Sequence, residues 1–381
     1  MEQRKLSLKL SAFFFDIYGV LACFYPFLTY YFQQRGLSYS EMGISFALVS
    51  LTSAVAQPAW GYIADKYSNK RTVLMITLLL CSLSVYSLVL ASGFGVIVGS
   101  IILVMIFLSP LVPVSDAYCF ALNRQYGGFE YGRFRLMGSL GYAIVALLVG
   151  FMVKYWGINS AYFLYSIMSL AGMFVILSID FKDKNTNIHI DFKDVTNLLG
   201  NRKVWLLLLA IVFTNISSGG NSNYIAILIE KTGGDVAQLG VLWFIVAISE
   251  LPSLYFGVRL LQKLGELNLF ILGLALYVLR YLLDSFCTWY VAVSAIQLLQ
   301  SVTYIFFLIA SLEYLNRIAP GKLKTVAMTL HAAAVATGGV IGNFGGGILL
   351  EYVSIFTFYQ VLALMCLIGM GFLVVLKKRS E

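Results

Sequence analysis

Charge is scarce in this chain. Asp, Glu, Lys and Arg make up 12% of its 381 residues, against 60% hydrophobic residues. That ratio excludes a water-soluble domain, which would have too little polar surface to cover its core. Histidine is scarcer still: His189 and His331 stand alone, with no metal-ligand spacing around either. No resident metal or other cofactor is expected. No Ser/His/Asp set is visible, and the glycines between 338 and 347 lack the Lys-Ser/Thr of a phosphate loop, so the chain is not read as an enzyme. The five cysteines (Cys23, Cys81, Cys119, Cys287 and Cys366) are odd in number and lie in apolar runs. They imply buried free thiols and exclude a disulfide framework.

What the chain has instead is apolar length. About 20 apolar residues span the hydrocarbon core of a bilayer as a helix. Twelve such runs stand out, at 10–32, 42–63, 72–91, 94–121, 133–153, 158–179, 204–229, 237–261, 268–286, 289–316, 324–350 and 354–376. The first is too long and too aromatic for a cleavable leader, so it is expected to be a span. One long polar stretch, 181–203, falls midway. The expected architecture is an all-α membrane protein of twelve transmembrane helices. It divides into two six-helix halves, 1–180 and 204–381, joined by a central cytoplasmic loop at 181–203. With both termini cytoplasmic, 21 of the 26 Lys and Arg fall on the inner side and 3, namely Arg35, Lys154 and Lys231, on the outer. This bias sets the orientation in the plasma membrane. It also accounts for most of the net charge of +8 without a nucleic-acid partner. The two remaining cations, Arg135 and Arg280, belong inside the bundle.

Two halves of equal size suggest a parallel repeat. "GYIADKYSNKRTVL" (61–74) falls between the second and third runs. There Gly61 permits close helix approach, while Asp65, Lys70 and Arg71 cap helix ends and pair across the loop. "GVRLLQKLGELNLF" (257–270) is a worn copy in the second half, keeping Gly257, Arg259, Lys263 and Gly265 without the acid. The first copy resembles the major facilitator signature, with Asn69 in place of its second glycine. "FYPF" (24–27), "SEMGISFALVSLTSAVAQPAWG" (40–61), "FEYGRFRLMGSLGY" (129–142) and "ISELPSLYFGVRLLQKLG" (248–265) resemble the lactose permease family of oligosaccharide:proton symporters, including its phenylpropionate permease branch. The likeness covers nearly the whole chain and is most specific in helices 1, 2 and 5. It implies the major facilitator fold.

A charge at the bilayer centre costs about 2.5–3.5 kcal/mol on insertion scales, so intramembrane ionisable residues are functional suspects. They are Asp16, Asp116, Arg135, Glu250 and Arg280, with Asp284 and Glu313 nearer helix ends. Arg135, Ser139 and Tyr142 share a face at i, i+4 and i+7, whereas Arg133 points elsewhere. The family resemblance implies that Asp116 and Arg135 bind substrate together, with Tyr142 stacking on it. It implies substrate binding for Glu250 and proton coupling for Arg280. An Arg280–Asp284 pair one turn apart is a purely structural alternative. In "IQLLQSVTYIF" (296–306), Gln300 and Thr303 replace the family's His and Glu. Its acid pair on helix 7 becomes Ser218 and Asn221, and its helix 11 lysine becomes Val335. The coupling proton, if there is one, is thereby left to Glu250, with Asp16 as runner-up. On "TNISSGGNSNY" (214–224), Asn215, Ser218 and Asn221 share a face, and Gly219–Gly220 are placed to unwind the helix locally. The spaced glycines 338, 342 and 346 read as close helix packing, and His331 as structural.

These features favour a monomeric secondary transporter taking up a small polar solute through the bilayer with a proton. Asp116, Arg135, Tyr142, Asn221, Glu250 and Gln300 suit a sugar or oligosaccharide. Arg135 with abundant aromatics would also suit an aromatic or other organic acid, and a nucleoside, a uniporter or a non-transporting sensor are the other readings. Helix 5 lacks the Gly-Pro of drug antiporters.

Overall fold

Inside a bilayer every backbone N–H and C=O must be satisfied within the segment, so the apolar runs fold as helices. The computed structural model describes residues 2–66, 70–127, 131–179, 201–319 and 324–379. The helices are α1 (Arg4–Gln34), α2 (Tyr39–Lys66), α3 (Lys70–Leu90), α4 (Phe94–Tyr126), α5 (Tyr131–Trp156), α6 (Asn159–Leu177), α7 (Arg202–Lys231), α8 (Val236–Leu264), α9 (Glu266–Phe286), α10 (Tyr290–Ile318), α11 (Lys324–Tyr352) and α12 (Ile355–Lys378). Among the described residues eleven are long and apolar enough to cross a membrane, while α8 has a shorter apolar stretch, Val236–Glu250, two residues before Pro252. The protein is a multi-pass membrane protein.

The breaks have local causes. Pro26 supplies no N–H, and α1 passes through a 3-10 turn at Tyr25–Phe27. Gly93, at φ +75°, takes the left-handed turn between α3 and α4 that a side chain resists. The start of α2 carries a capping box: Ser38 N–H donates to Glu41 Oε2 at 2.8 Å, and Glu41 N–H to Ser38 Oγ at 3.3 Å. Two sequence expectations fail here. The helix α7 runs unbroken through Gly219 and Gly220. Gly61 lies within α2, and a Cβ there would meet nothing within 4 Å, so it mediates no close approach. Most of the central loop, 181–203, lies outside the described residues.

The chain forms two compact units. One comprises Met1–Leu37, Leu48–Asn187 and Asp235–Ile248; the other Ser38–Ala47, Ile188–Gly234 and Ser249–Glu381. Each exchanges a segment relative to a split at the central loop, and glycines explain why. In the first unit Gly240 of α8 lies against the backbone of Gly150 on α5. In the second, Gly43 of α2 lies against that of Gly347 on α11. The first unit packs α1 on α5 and α6, and α3 on α4 and α6. The second packs α7 on α11 and α12, and α9 on α10 and α12. Every pairing recurs six helices later, as a parallel repeat requires. The close approaches recur too: a Cβ on Gly141 would strike the Phe15 backbone, and one on Gly342 that of Ile216.

Candidate functional site

The second unit buries a polar network among apolar helices. Arg280 and Asp284 stand one turn apart on α9 and are 1% and 0% exposed. The Arg280 guanidinium lies 5.0 Å from the Tyr277 ring centroid and 4.7 Å from that of Tyr281. Its Nη1 donates to Gln300 Oε1 at 3.2 Å and to Thr303 Oγ1 at 3.4 Å, both on α10. Gln300 Oε1 also accepts from Asn221 Nδ2 of α7 at 3.3 Å, and Asn221 Oδ1 accepts from the Tyr359 hydroxyl of α12 at 3.0 Å. Gln297, where α10 breaks, donates from Nε2 to Asp284 Oδ2 at 2.8 Å. Four helices thus converge on one cation, with aromatic faces and amide oxygens offsetting its desolvation.

The structure therefore brings Asn221, Gln300 and Arg280 together. Asp284 is an acid that interacts with Arg280, as their i, i+4 spacing on α9 allowed. Glu250 is half-buried on α8. The sequence already offered the Arg280–Asp284 pair at i, i+4 as a structural alternative, without giving Asp284 a part in binding or coupling. Gln297 carried no signal of its own.

In the first unit the charges are dressed by aromatics. Tyr131, at the start of α5, is hydrogen-bonded to Asp116 of α4, whose Oδ1 is buried without a partner. Arg135 is exposed, and its guanidinium lies 4.6 Å from the ring centroid of Tyr18 on α1. Gly138 makes this possible, since a Cβ there would strike the Tyr18 ring. Asp116 and Arg135 thus each have a different aromatic partner, and neither Tyr131 nor Tyr18 was foreseen. Tyr142 is half-buried and meets Trp243 of α8 edge-on at 6.4 Å; the Trp243 indole N–H is buried without an acceptor. Asp16 is half-buried among α1, α3 and α6, where its Cβ and Leu78 line the space that Gly172 leaves.

The loop motif pairs as its charges suggest. Lys70 contacts Asp65 at 3.0 Å. Arg71 donates to Ile176 O at 3.3 Å and Leu177 O at 2.8 Å, and Lys9 to Ser178 O at 2.6 Å, so two cations cover the carbonyl end of α6. His331 is bonded to Ser311 at 2.9 Å and stacks on Phe307. Among the described residues no cluster of His, Cys, Asp or Glu is arranged to hold a metal.

A repeated helical bundle with a charged polar network buried in membrane helices defines the secondary-transporter class. The chain matches the MFS_1 like family over residues 7–361, and it belongs to that family. It is 26% identical over 363 residues to an uncharacterised transporter, YwbF, of Bacillus subtilis, covering 93% of this chain and 90% of that one. It is 26% identical over 373 residues to a maltose permease of Geobacillus stearothermophilus, covering 97% and 94%. Its fold matches the nucleoside transporter NupG with TM-score 0.88 at 13% identity, covering 98% and 99%. The resemblance to oligosaccharide permeases of the lactose permease kind extends to raffinose and melibiose permeases as well. The protein is a transporter of the major facilitator type.

Proposed function

We propose that the protein imports a sugar of the oligosaccharide type across the plasma membrane, driven by protons. The reading includes twelve spans, both termini cytoplasmic, a monomeric chain and no enzymatic activity. The observation that carries it is the amide network around Arg280. Asn221 and Gln300 each offer a donor and an acceptor, which suits hydroxyl groups that do both. Full-length likeness to a maltose permease supports the same substrate class. Asp116, Arg135, Tyr142 and Glu250 complete the proposed binding set. Asp65, Lys70 and Arg71 serve as a gating clasp at the ends of α2, α3 and α6. Glu250, Arg280 and Asp16 are the sequence-level candidates for proton coupling.

The test is uptake of labelled maltose, raffinose and melibiose by the reconstituted full chain, with and without a protonophore. Aromatic acids and nucleosides serve as competitors. Accumulation of a sugar above its external concentration, abolished by the protonophore, is expected. Transport of a nucleoside or aromatic acid in place of every sugar would overturn the substrate class, and protonophore-insensitive uptake would overturn the coupling.

A further inference from the structure

Asp284 is an acid that binding does not use, and its surroundings are unusual. One oxygen accepts from Gln297 Nε2 at 2.8 Å. The other, Oδ1, is buried without a donor, and so is the Gln297 carbonyl oxygen on the far side of that hydrogen bond. Buried polar oxygens are rarely left so, and two flanking one bond need a shared explanation. The guanidinium that could supply a donor is directed to Gln300 and Thr303, and its Nε has no acceptor.

We propose that Asp284 and Gln297 form a proton-binding site, with the proton on Asp284 Oδ1 directed to the Gln297 carbonyl. This rests on the proton-driven import reading above and moves its proton from Glu250 or Asp16 to α9. A carboxylic acid and a primary amide are complementary: the acid O–H donates to the amide carbonyl while the amide N–H donates to the acid carbonyl. One of these two bonds is present; a single proton completes the other and satisfies both orphan oxygens. When the site is ionised, neither oxygen has a donor.

The surroundings tie this proton to the binding network. The groups facing Asp284 are Arg280 and Tyr281 on its own helix, Gln297 on α10, Tyr359 on α12 and the neighbouring Cys287. Among the described residues Arg280 is the charged one of these. Loss of the Asp284 charge leaves Arg280 without its acid. The guanidinium is then fully committed to Gln300 and Thr303, and through Gln300 to Asn221, the amides proposed to meet the sugar. Proton occupancy and sugar affinity are linked through Arg280, and by reciprocity each favours the other. The bookkeeping is simple: one proton is bound from water and one is returned, with no other bond changed. Asp284 is closed to solvent in this structure, so proton exchange requires the surrounding helices to move.

Two measurements decide it. In liposomes with an imposed pH gradient and labelled maltose, Asp284→Asn should keep equilibrium exchange within about threefold of the parent while its accumulation ratio falls to about one. Infrared spectra of the purified full chain should show a protonated carboxyl C=O band that shifts in heavy water, is lost in Asp284→Asn and changes frequency in Asp284→Glu. The glutamate variant keeps the assignment testable where the asparagine variant fails to fold. Unchanged uphill accumulation by Asp284→Asn, or a carboxyl band indifferent to both substitutions, overturns the proposal. A parent protein that moves no sugar overturns the import reading instead, and the infrared band then decides the proton site alone.

Discussion

Arg135 and Arg280 occupy corresponding kinds of place, each on a membrane helix and each given a role by the family resemblance, yet they meet opposite surroundings. Arg135 is exposed, with its guanidinium over the ring of Tyr18. Arg280 is 1% exposed, held between two tyrosines, bonded to two side chains of α10 and set one turn from an acid. Distance from the helix end does not separate them: Arg135 is the fifth residue of α5, and Arg280 the seventh from the end of α9. The difference lies in the face. Arg280 points at α10 and α12, on which α9 packs, whereas Arg135 points along the approach of α1 that Gly138 leaves open. A charge buried against three helices must be satisfied completely, and a charge at an open face need not be.

The sharpest way to break this comparison is to neutralise each arginine. Arg280→Gln strands an acid and two polar side chains in a low-dielectric core, a loss of about 3–5 kcal/mol for a buried pair. Arg135→Gln removes an exposed cation–π contact, about 0.5–1 kcal/mol. Thermal unfolding of the purified variants should show a large drop for the first and a small one for the second. Equal drops would mean that Arg135 is as deeply engaged as Arg280.

Glycines sharpen the same contrast between used and unused positions. A Cβ on Gly342 would strike the Ile216 carbonyl, so Gly342→Val must push α11 off α7 at a cost of about 1–3 kcal/mol, the usual range for overpacking. Gly61→Val meets open space within the structure and should unfold as the parent does. A destabilised Gly61→Val would restore the packing role that its motif suggests.

How much of this was legible beforehand follows from the same physics. The helices were, because a bilayer leaves apolar length no other solution; observed ends differ from the apolar runs by the few polar residues that flank them. Gln300 and Asn221 were legible as polar positions replacing charges. Their union with Arg280 was not, because it depends on which faces of four helices meet. Asp284 was legible as a partner of Arg280 near a helix end; its complete burial was not, because burial is set by neighbours and not by sequence distance. Gly219–Gly220 illustrate the reverse error. Two glycines signal unwinding only where nothing packs on them, and here α11 and α12 do: a Cβ on Gly219 would lie 3.2 Å from Gly339, and one on Gly220 3.1 Å from Phe358.

A further small effect lies outside the spans, at the start of α8. Asp235 contacts Lys154 at 2.8 Å, and its Oδ1 accepts the backbone N–H groups of Ala237 at 2.8 Å and Gln238 at 3.3 Å, as a helix cap does. Partial burial pushes its carboxyl up, but Lys154 and the two N–H groups outweigh that, and the net shift is below the ordinary 3.8. A carboxylate depressed in the folded state adds stability above its unfolded value, and that stability drains away as pH falls through the folded one. Asp235→Ala loses the cap at every pH, about 1 kcal/mol. Asp235→Asn keeps the cap and loses the charge, so its deficit should be smaller at neutral pH, shrink as pH falls below the ordinary 3.8 and vanish only below the depressed folded-state value. Both groups are about two-fifths exposed, at 39% and 42%, so salt should screen the ionic part. Unfolding temperatures of the parent and both variants at pH 7 and through a descending acid series, in low and high salt, separate cap from charge. If the asparagine deficit stays constant through the whole acid series, the carboxylate is not what Asp235 contributes, and Lys154 holds α5 to α8 through packing of its aliphatic stem.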